Sequence, residues 1–121
     1  HTPVTEDKSK PDFIFPNIEA YRDKTYPEVE LTMLGAKSTC KDRWRQVLSE
    51  AERIERKHLL TLESAISENQ TNEMINKKLQ LVLPSPIHET YTLKQRAWLY
   101  SVKMFLEEVK EKQKFYERKQ I

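Results

Sequence analysis

Hydrophobic residues recur at helical spacing through the middle of the chain. Five of them stand at the i, i+3, i+4, i+7 and i+10 positions that line one buried face of an amphipathic helix. They are Trp44, Val47, Leu48, Ala51 and Ile54. Thr39, followed three residues later by Asp42, is typical of a capping box. We therefore predict a helix that begins near Thr39 and ends among charged residues near Ile54.

Short apolar runs bounded by proline, glycine or polar residues predict four strands. These runs cover residues 13–15, 31–34, 58–62 and 79–83. The second strand is expected to end at Gly35, the only glycine of the chain. Glycine at this point either allows a bend or close approach of the backbone, or simply ends the strand.

Two further helices follow from capping and periodicity. Ser67 opens a polar capping sequence, which predicts a short helix over residues 67–78. Residues 93–115 are predicted to form one long helix with Trp98, Val102, Phe105 and Val109 on the same face. Strand, helix and strand at this spacing are typical of a parallel βαβ unit, so the predicted fold class is α/β.

Composition indicates one domain of a longer protein. A chain of 121 residues with 37% hydrophobic residues is long enough for one core, and no apolar run approaches the length of a membrane span. Because the sequence opens with the polar residue His1 and no apolar signal segment, we expect an upstream part to be missing. The single cysteine, Cys40, excludes an internal disulfide framework, fits a packing role and is compatible with the reducing cytoplasm.

The net charge of +2 does not by itself indicate a nucleic-acid partner. Lysine and arginine are concentrated in residues 31–60 and 91–121, whereas residues 1–30 and 61–90 are acidic. Solvated helix surfaces produce such clusters more often than DNA-binding sites do, so both interpretations stay open.

Several kinds of active site are excluded or poorly supported by the motifs. One glycine cannot build a glycine-rich phosphate loop, and one cysteine with three scattered histidines does not favour zinc. No nucleophile elbow accompanies a histidine. A hard-metal site remains possible, in which Asp12 and Glu50 bind Mg²⁺ through oxygen and Lys37 assists the attacking water. Spacing alone supports this site weakly.

The sequence pattern around these residues strengthens that hypothesis. Pro11-Asp12, Gly35-Ala36-Lys37 and Glu50 resemble the PD-(D/E)xK nuclease signature, in the variant whose second acid lies on the following helix. The segments PDFIFP, LGAKSTCKDRWRQVLSEAERI, KHLLTLESAISENQ and LQLVLPSPIH are similar to the catalytic C-terminal domain of EcoRII-type restriction endonucleases. This resemblance extends from about Lys10 to Tyr91.

The resemblance implies a fold, a reaction and a set of site residues. The fold would be a mixed, mostly parallel sheet flanked by helices in an αβα sandwich, incomplete at its N-terminal side. The reaction would be Mg²⁺-dependent cleavage of double-stranded DNA at a short CC(A/T)GG-type site. Asp12, Ala36 and Glu50 would hold the metal, and Lys37 would be the catalytic lysine.

Base recognition is implied for the three residues Lys41, Asp42 and Arg43. Lysine and arginine can donate to guanine O6 and N7, and aspartate can accept from cytosine N4. The alternative for these three residues is helix capping and surface charge.

The sequence departs from the family because the family's catalytic domain begins well upstream of this chain. Residues 1–121 would therefore be the C-terminal portion of one catalytic domain. Its expected partners are double-stranded DNA, a second copy of the chain and the missing upstream part, because cleavage of both strands needs two active sites. The competing interpretation is a non-catalytic DNA-binding or structural remnant of such a nuclease.

Overall fold

The structure is a computed structural model, and the part of the chain that it describes is built around one four-stranded sheet. That part comprises residues 12–39 and 43–120, with side chains described as far as residue 114. The strands are β1 (Phe13–Phe15), β2 (Thr32–Lys37), β3 (Lys57–Thr61) and β4 (Leu79–Val82). The α-helices are α1 (Ile18–Arg22), α2 (Trp44–Val47), α3 (Glu68–Asn76), α4 (Leu93–Arg96) and α5 (Val102–Gln120), and 3-10 turns lie at Glu28–Glu30 and Ser85–Thr90.

The sheet is mixed and mostly parallel. The strand order is β1-β2-β3-β4, with β1 antiparallel to β2 and the other two pairings parallel. Side chains alternate between the two faces, so both faces carry a hydrophobic cluster. Trp44 and Met74, from the α2 and α3 side, belong to one cluster, and Phe105 of α5 belongs to the other. This arrangement confirms the predicted α/β fold with helices on both sides of the sheet.

The second strand is longer than the sequence indicated. It continues through Gly35 to Lys37, where Lys37 pairs with Thr61 of β3. The glycine therefore does not end the strand, and the expectation that it did is wrong. Parallel pairing with β3 supplies hydrogen bonds on both sides of the glycine, so the strand persists despite the low strand propensity of this residue.

The central helix is much shorter than predicted. It begins at Trp44, preceded by Arg43 without a side-chain cap, and ends at Val47. The carbonyl of Gln46 accepts from both the backbone N and the Oγ of Ser49, at 3.2 and 2.9 Å. The Ser49 hydroxyl thus competes for a helical acceptor, and the chain continues in tight turns. Both predicted boundaries, near Thr39 and Ile54, are wrong.

The hydrophobic periodicity nevertheless identified the correct buried face. Trp44, Val47 and Ala51 are fully buried, and Ile54 is 3% exposed. Ala51 adopts a left-handed conformation with φ of 51°, which re-aims the chain after the short helix. Between residues 43 and 54, several backbone N–H groups donate to the carbonyl three residues earlier and so form successive turns. These turns place the hydrophobic side chains on the core side, although the α-helix is not continuous. Cys40, for which a packing role was predicted, lies outside the described residues.

The predicted long C-terminal helix is two helices. Thr92 and Gln95 form a capping box that starts α4, and the chain then straightens to join the sheet. Tyr100 bridges to β4, since its N donates to Leu81 O at 3.1 Å and its O accepts from Leu83 N at 2.9 Å. Helical periodicity continues across this interruption, which is why the sequence did not reveal it. No helix in the described ranges is long and apolar enough to cross a membrane.

A polar cluster attaches α5 to the amino end of the sheet. The carboxylate of Glu108 accepts from Tyr100 Oη at 2.5 Å and Arg56 Nη1 at 3.1 Å, and lies 3.3 Å from His58 Nε2. These contacts, with the hydrogen bond from His58 first, lower the pKa of Glu108 to about 2. Burial lowers the pKa of His58, so its neutral ring donates to the carboxylate.

We expect Glu108→Gln to destabilise the fold at neutral pH. The pKa of Glu108 falls from 4.5 to about 2 on folding, so its stabilisation is complete above pH 4.5 and disappears as the pH falls towards 2. The linkage corresponds to at most about 3 kcal/mol at pH 7. Urea unfolding at pH 7 and pH 3 measures it, with exposed Glu107→Gln as control. An equal deficit at both pH values would contradict the assignment.

Candidate functional site

The candidate site lies where β1 and the second half of β2 meet the turn that follows α2. Asp12 immediately precedes β1, and its Oδ2 accepts a 2.7 Å hydrogen bond from Ala36 N. Lys37 is the last residue of β2, and Glu50 lies three residues after α2. The charges of Asp12 and Lys37 both affect the pKa of Glu50, so the fold brings these three predicted side chains together.

Glu50 is the buried member of this group. The residue is only 8% exposed, and its Oε1 has no hydrogen-bond partner among the atoms that the structure describes. Burial raises the pKa of Glu50 above its ordinary value, Lys37 opposes this shift, Asp12 adds to it and Lys57 opposes it more weakly. An unpartnered buried carboxylate oxygen is costly to folding, and such costs are common at functional sites.

Gly35 provides room for that carboxylate. A Cβ placed on Gly35 would lie 3.3 Å from Val47 Cγ2 and 3.7 Å from Glu50 Oε1. The absence of a side chain thus permits the turn carrying Glu50 to lie directly against β2. This finding favours close approach over strand termination as the reason for glycine at this position.

We expect Gly35→Val to impair the site more than the fold. Its branched side chain would displace Val47 and the carboxylate of Glu50, at a cost of about 1–3 kcal/mol for overpacking. Gly35→Ala adds only a Cβ and serves as the milder control. Thermal unfolding and divalent-metal titration measure the two effects. Unchanged metal affinity in Gly35→Val would contradict this role of the glycine.

The available oxygen atoms fit a hard metal ion. Asp12 and Glu50 supply carboxylates, and Ala36 can offer only its backbone carbonyl. Within residues 12–39 and 43–120, no three histidine, cysteine, aspartate or glutamate side chains form a metal-ligand group. Magnesium is commonly held by one or two carboxylates with several waters, so the carboxylates of Asp12 and Glu50, the latter with its unpartnered Oε1, fit such an ion.

The three predicted base-reading residues are only partly described. Arg43 is exposed and immediately precedes α2. Lys41 and Asp42 lie outside the described residues. Arg43 therefore precedes the short helix whose following turn carries Glu50.

Sequence reasoning missed Lys57 as a neighbour of the site. This lysine is 7% exposed, and its Nζ donates to Ile54 O at 2.7 Å, which secures the end of the turn containing Glu50. Its charge also lowers the pKa of Glu50, whereas burial lowers the pKa of Lys57 itself. The sequence did not indicate this role, because Lys57 follows other charged residues at the start of a strand, where a lysine is ordinarily solvated.

Comparisons with known proteins identify the family of the chain. The sequence model described as EcoRII C terminal matches residues 1–106. The chain is similar to the type II restriction enzyme EcoRII of Escherichia coli, with 44% identity over 106 residues. The match covers 88% of this chain and 26% of that protein, so the chain spans about a quarter of its relative's length.

Two solved structures share the fold at low sequence identity. Metal-depleted Ecl18kI in complex with uncleaved, modified DNA has a TM-score of 0.72 at 20% identity, covering 85% of this chain and 34% of that chain. Metal-depleted Ecl18kI in complex with uncleaved DNA has a TM-score of 0.69 at 22% identity, covering 82% and 33%. From the extent of the family match and the identity to EcoRII, the chain belongs to the EcoRII C-terminal family.

Proposed function

We propose that this chain is the catalytic portion of a type II restriction endonuclease that cleaves double-stranded DNA in the cytoplasm. The reaction would be Mg²⁺-dependent hydrolysis of phosphodiester bonds at a short CC(A/T)GG-type site. The observation that carries the proposal is the buried, unpartnered Oε1 of Glu50 in a group with Asp12 and Lys37. Membership of the EcoRII C-terminal family supports the same reaction class.

The residues of the site would divide the chemistry among them. Asp12, Glu50 and the carbonyl of Ala36 would hold the metal, which when bound lowers the pKa of a water and stabilises phosphate charge. Lys37 would orient the attacking water and stabilise the negative charge that develops on the phosphate oxygens. The hydrogen bond from Ala36 N to Asp12 would keep that carboxylate in place.

Base recognition would come from Lys41, Asp42 and Arg43. Exposed Arg43 is suited to donate to guanine, and its position links readout to the turn that carries Glu50. The Ecl18kI structures with similar folds contain DNA, which makes a DNA partner reasonable for this chain.

A homodimer and further polypeptide are the other proposed partners. Cleavage of both strands at a near-palindromic site calls for two active sites related by a two-fold axis. Because the chain spans about a quarter of EcoRII, further polypeptide of such an enzyme is a proposed partner.

Calcium titration in the presence of DNA tests this proposal against a non-catalytic remnant. Ca²⁺ uses the same oxygen ligands as Mg²⁺ and permits binding to be measured apart from cleavage. The proposal predicts Ca²⁺ binding that is lost in Asp12→Asn and Glu50→Gln. A remnant would bind DNA equally well in all three proteins without bound metal, and that result would refute the active-site assignment.

A further inference from the structure

We propose that Gln70 and Glu73 of α3 are positioning residues for base recognition. They hold Trp44 and Arg45, the two residues that follow Arg43, which is the described member of the proposed base readers. This inference rests on the proposed DNA-cleaving function. It assigns an influence on DNA sequence preference to α3, a helix that carries none of the proposed base contacts.

Arg43 needs support from outside α2, the short helix that it precedes. α2 is only four residues long, and Arg43 makes no side-chain capping bond. An isolated turn of helix is unstable because nucleation fixes several residues for very few hydrogen bonds. The direction of the chain at Arg43 therefore depends on tertiary contacts made by the residues just after it.

α3 supplies two of those contacts. The indole Nε1 of fully buried Trp44 donates to Gln70 Oε1 at 3.2 Å. The Nη2 of Arg45 donates to Glu73 Oε1 at 2.5 Å. The guanidinium carbon of Arg45 also lies 4.5 Å from the centroid of the Trp44 ring, which joins the two contacts into one unit.

α3 is itself firmly attached, so it can act as a fixed support. Ser67 caps its first turn by accepting from Gln70 N, and Thr92 Oγ1 donates to Glu68 Oε2 at 2.7 Å. Buried Gln95 donates from Nε2 to Thr71 Oγ1 at 3.1 Å. The contacts form a continuous series from α4 through α3 to the start of α2.

The two contacts differ in their expected importance. Trp44 would lose the partner of a buried N–H if Gln70 became methionine, whereas the Arg45–Glu73 pair is half-exposed and contributes less. Gln70→Met is consequently the principal test variant. Gln70→Glu retains an acceptor oxygen for the indole and is the conservative rescue. Exposed Asn72→Ala is the matched control on the same helix.

The experiment measures DNA binding in Ca²⁺ to two duplexes, one with an intact CC(A/T)GG site and one with a single changed base pair. We expect Gln70→Met to reduce the ratio of the two dissociation constants by about tenfold, a typical single-contact effect. Glu73→Gln should reduce it less. Gln70→Glu and Asn72→Ala should preserve the ratio, even if the added charge of Gln70→Glu weakens binding to both duplexes.

The outcomes separate this inference from the proposed function. A wild-type protein without preference between the duplexes would overturn both. A wild-type preference that survives in Gln70→Met would overturn only the positioning role, as would an equal loss of affinity for both duplexes. If Gln70→Met fails to fold by circular dichroism, the Arg45→Glu and Glu73→Arg variants decide. Reduced discrimination in each and recovery in the double variant supports positioning, and unchanged discrimination in either overturns it.

Discussion

Replacement of Glu50 by glutamine is expected to abolish metal-dependent cleavage while raising the melting temperature at pH 7. Loss of a metal-binding carboxylate should reduce the cleavage rate by at least about a hundredfold. The stability gain follows from the raised pKa of the buried carboxyl. Glutamine is neutral at every pH and removes the unfavourable buried charge.

The pH dependence of this stability gain has a defined sign. An acid whose pKa is higher in the folded state binds its proton more tightly there, so stability falls as the pH rises through that pKa. The melting temperatures of wild type and Glu50→Gln should therefore converge near pH 4 and separate towards pH 7. Exposed Glu52→Gln provides the control. A lower melting temperature for Glu50→Gln at pH 7, or retained cleavage, would contradict the account.

Replacement of Lys37 by methionine is expected to remove cleavage but preserve DNA binding. The loss of a cation that stabilises developing phosphate charge should reduce the rate by about a hundred- to a thousandfold. Methionine keeps most of the side-chain length, so β2 should keep its pairing with β3. Single-turnover cleavage and equilibrium DNA binding in Ca²⁺ measure the two properties separately.

Lys77→Met is the matched control for this prediction. Lys77 is exposed at the end of α3 and undergoes the same change of charge. Its cleavage rate should remain within a few-fold of wild type, because one surface charge mainly changes the salt-dependent affinity. Equal loss of cleavage in both variants would show that net charge, and not the position of Lys37, is responsible.

Sequence periodicity predicted the layers of the fold better than the boundaries of its elements. Alternation and helical spacing depend on which side chains are buried, and Trp44, Val47 and Ala51 are indeed in the core. The end of α2 depends on the Ser49 hydroxyl and on the left-handed backbone of Ala51. Neither feature changes the hydrophobic pattern, so the pattern predicted one long helix.

The candidate site could be predicted from the sequence because its residues form a recognisable motif. Asp12 immediately precedes β1, Lys37 ends the neighbouring strand β2, and the structure places both near Glu50. The contribution of Lys57 could not be predicted from the sequence, since the burial of this residue depends on the turn that ends at Ile54. The contacts from α3 to Trp44 likewise join residues 26 positions apart, and no local pattern records them.

Cleavage of a duplex with one CC(A/T)GG site tests the central claim most directly. Wild type, Lys37→Met and Lys77→Met would each be incubated with Mg²⁺ and either this duplex or one with a scrambled site. We predict cutting of the intact site by wild type and Lys77→Met, none by Lys37→Met, and none of the scrambled duplex. Cutting by Lys37→Met as fast as by Lys77→Met, or no cutting by wild type while it binds the intact duplex and Ca²⁺, would contradict the claim.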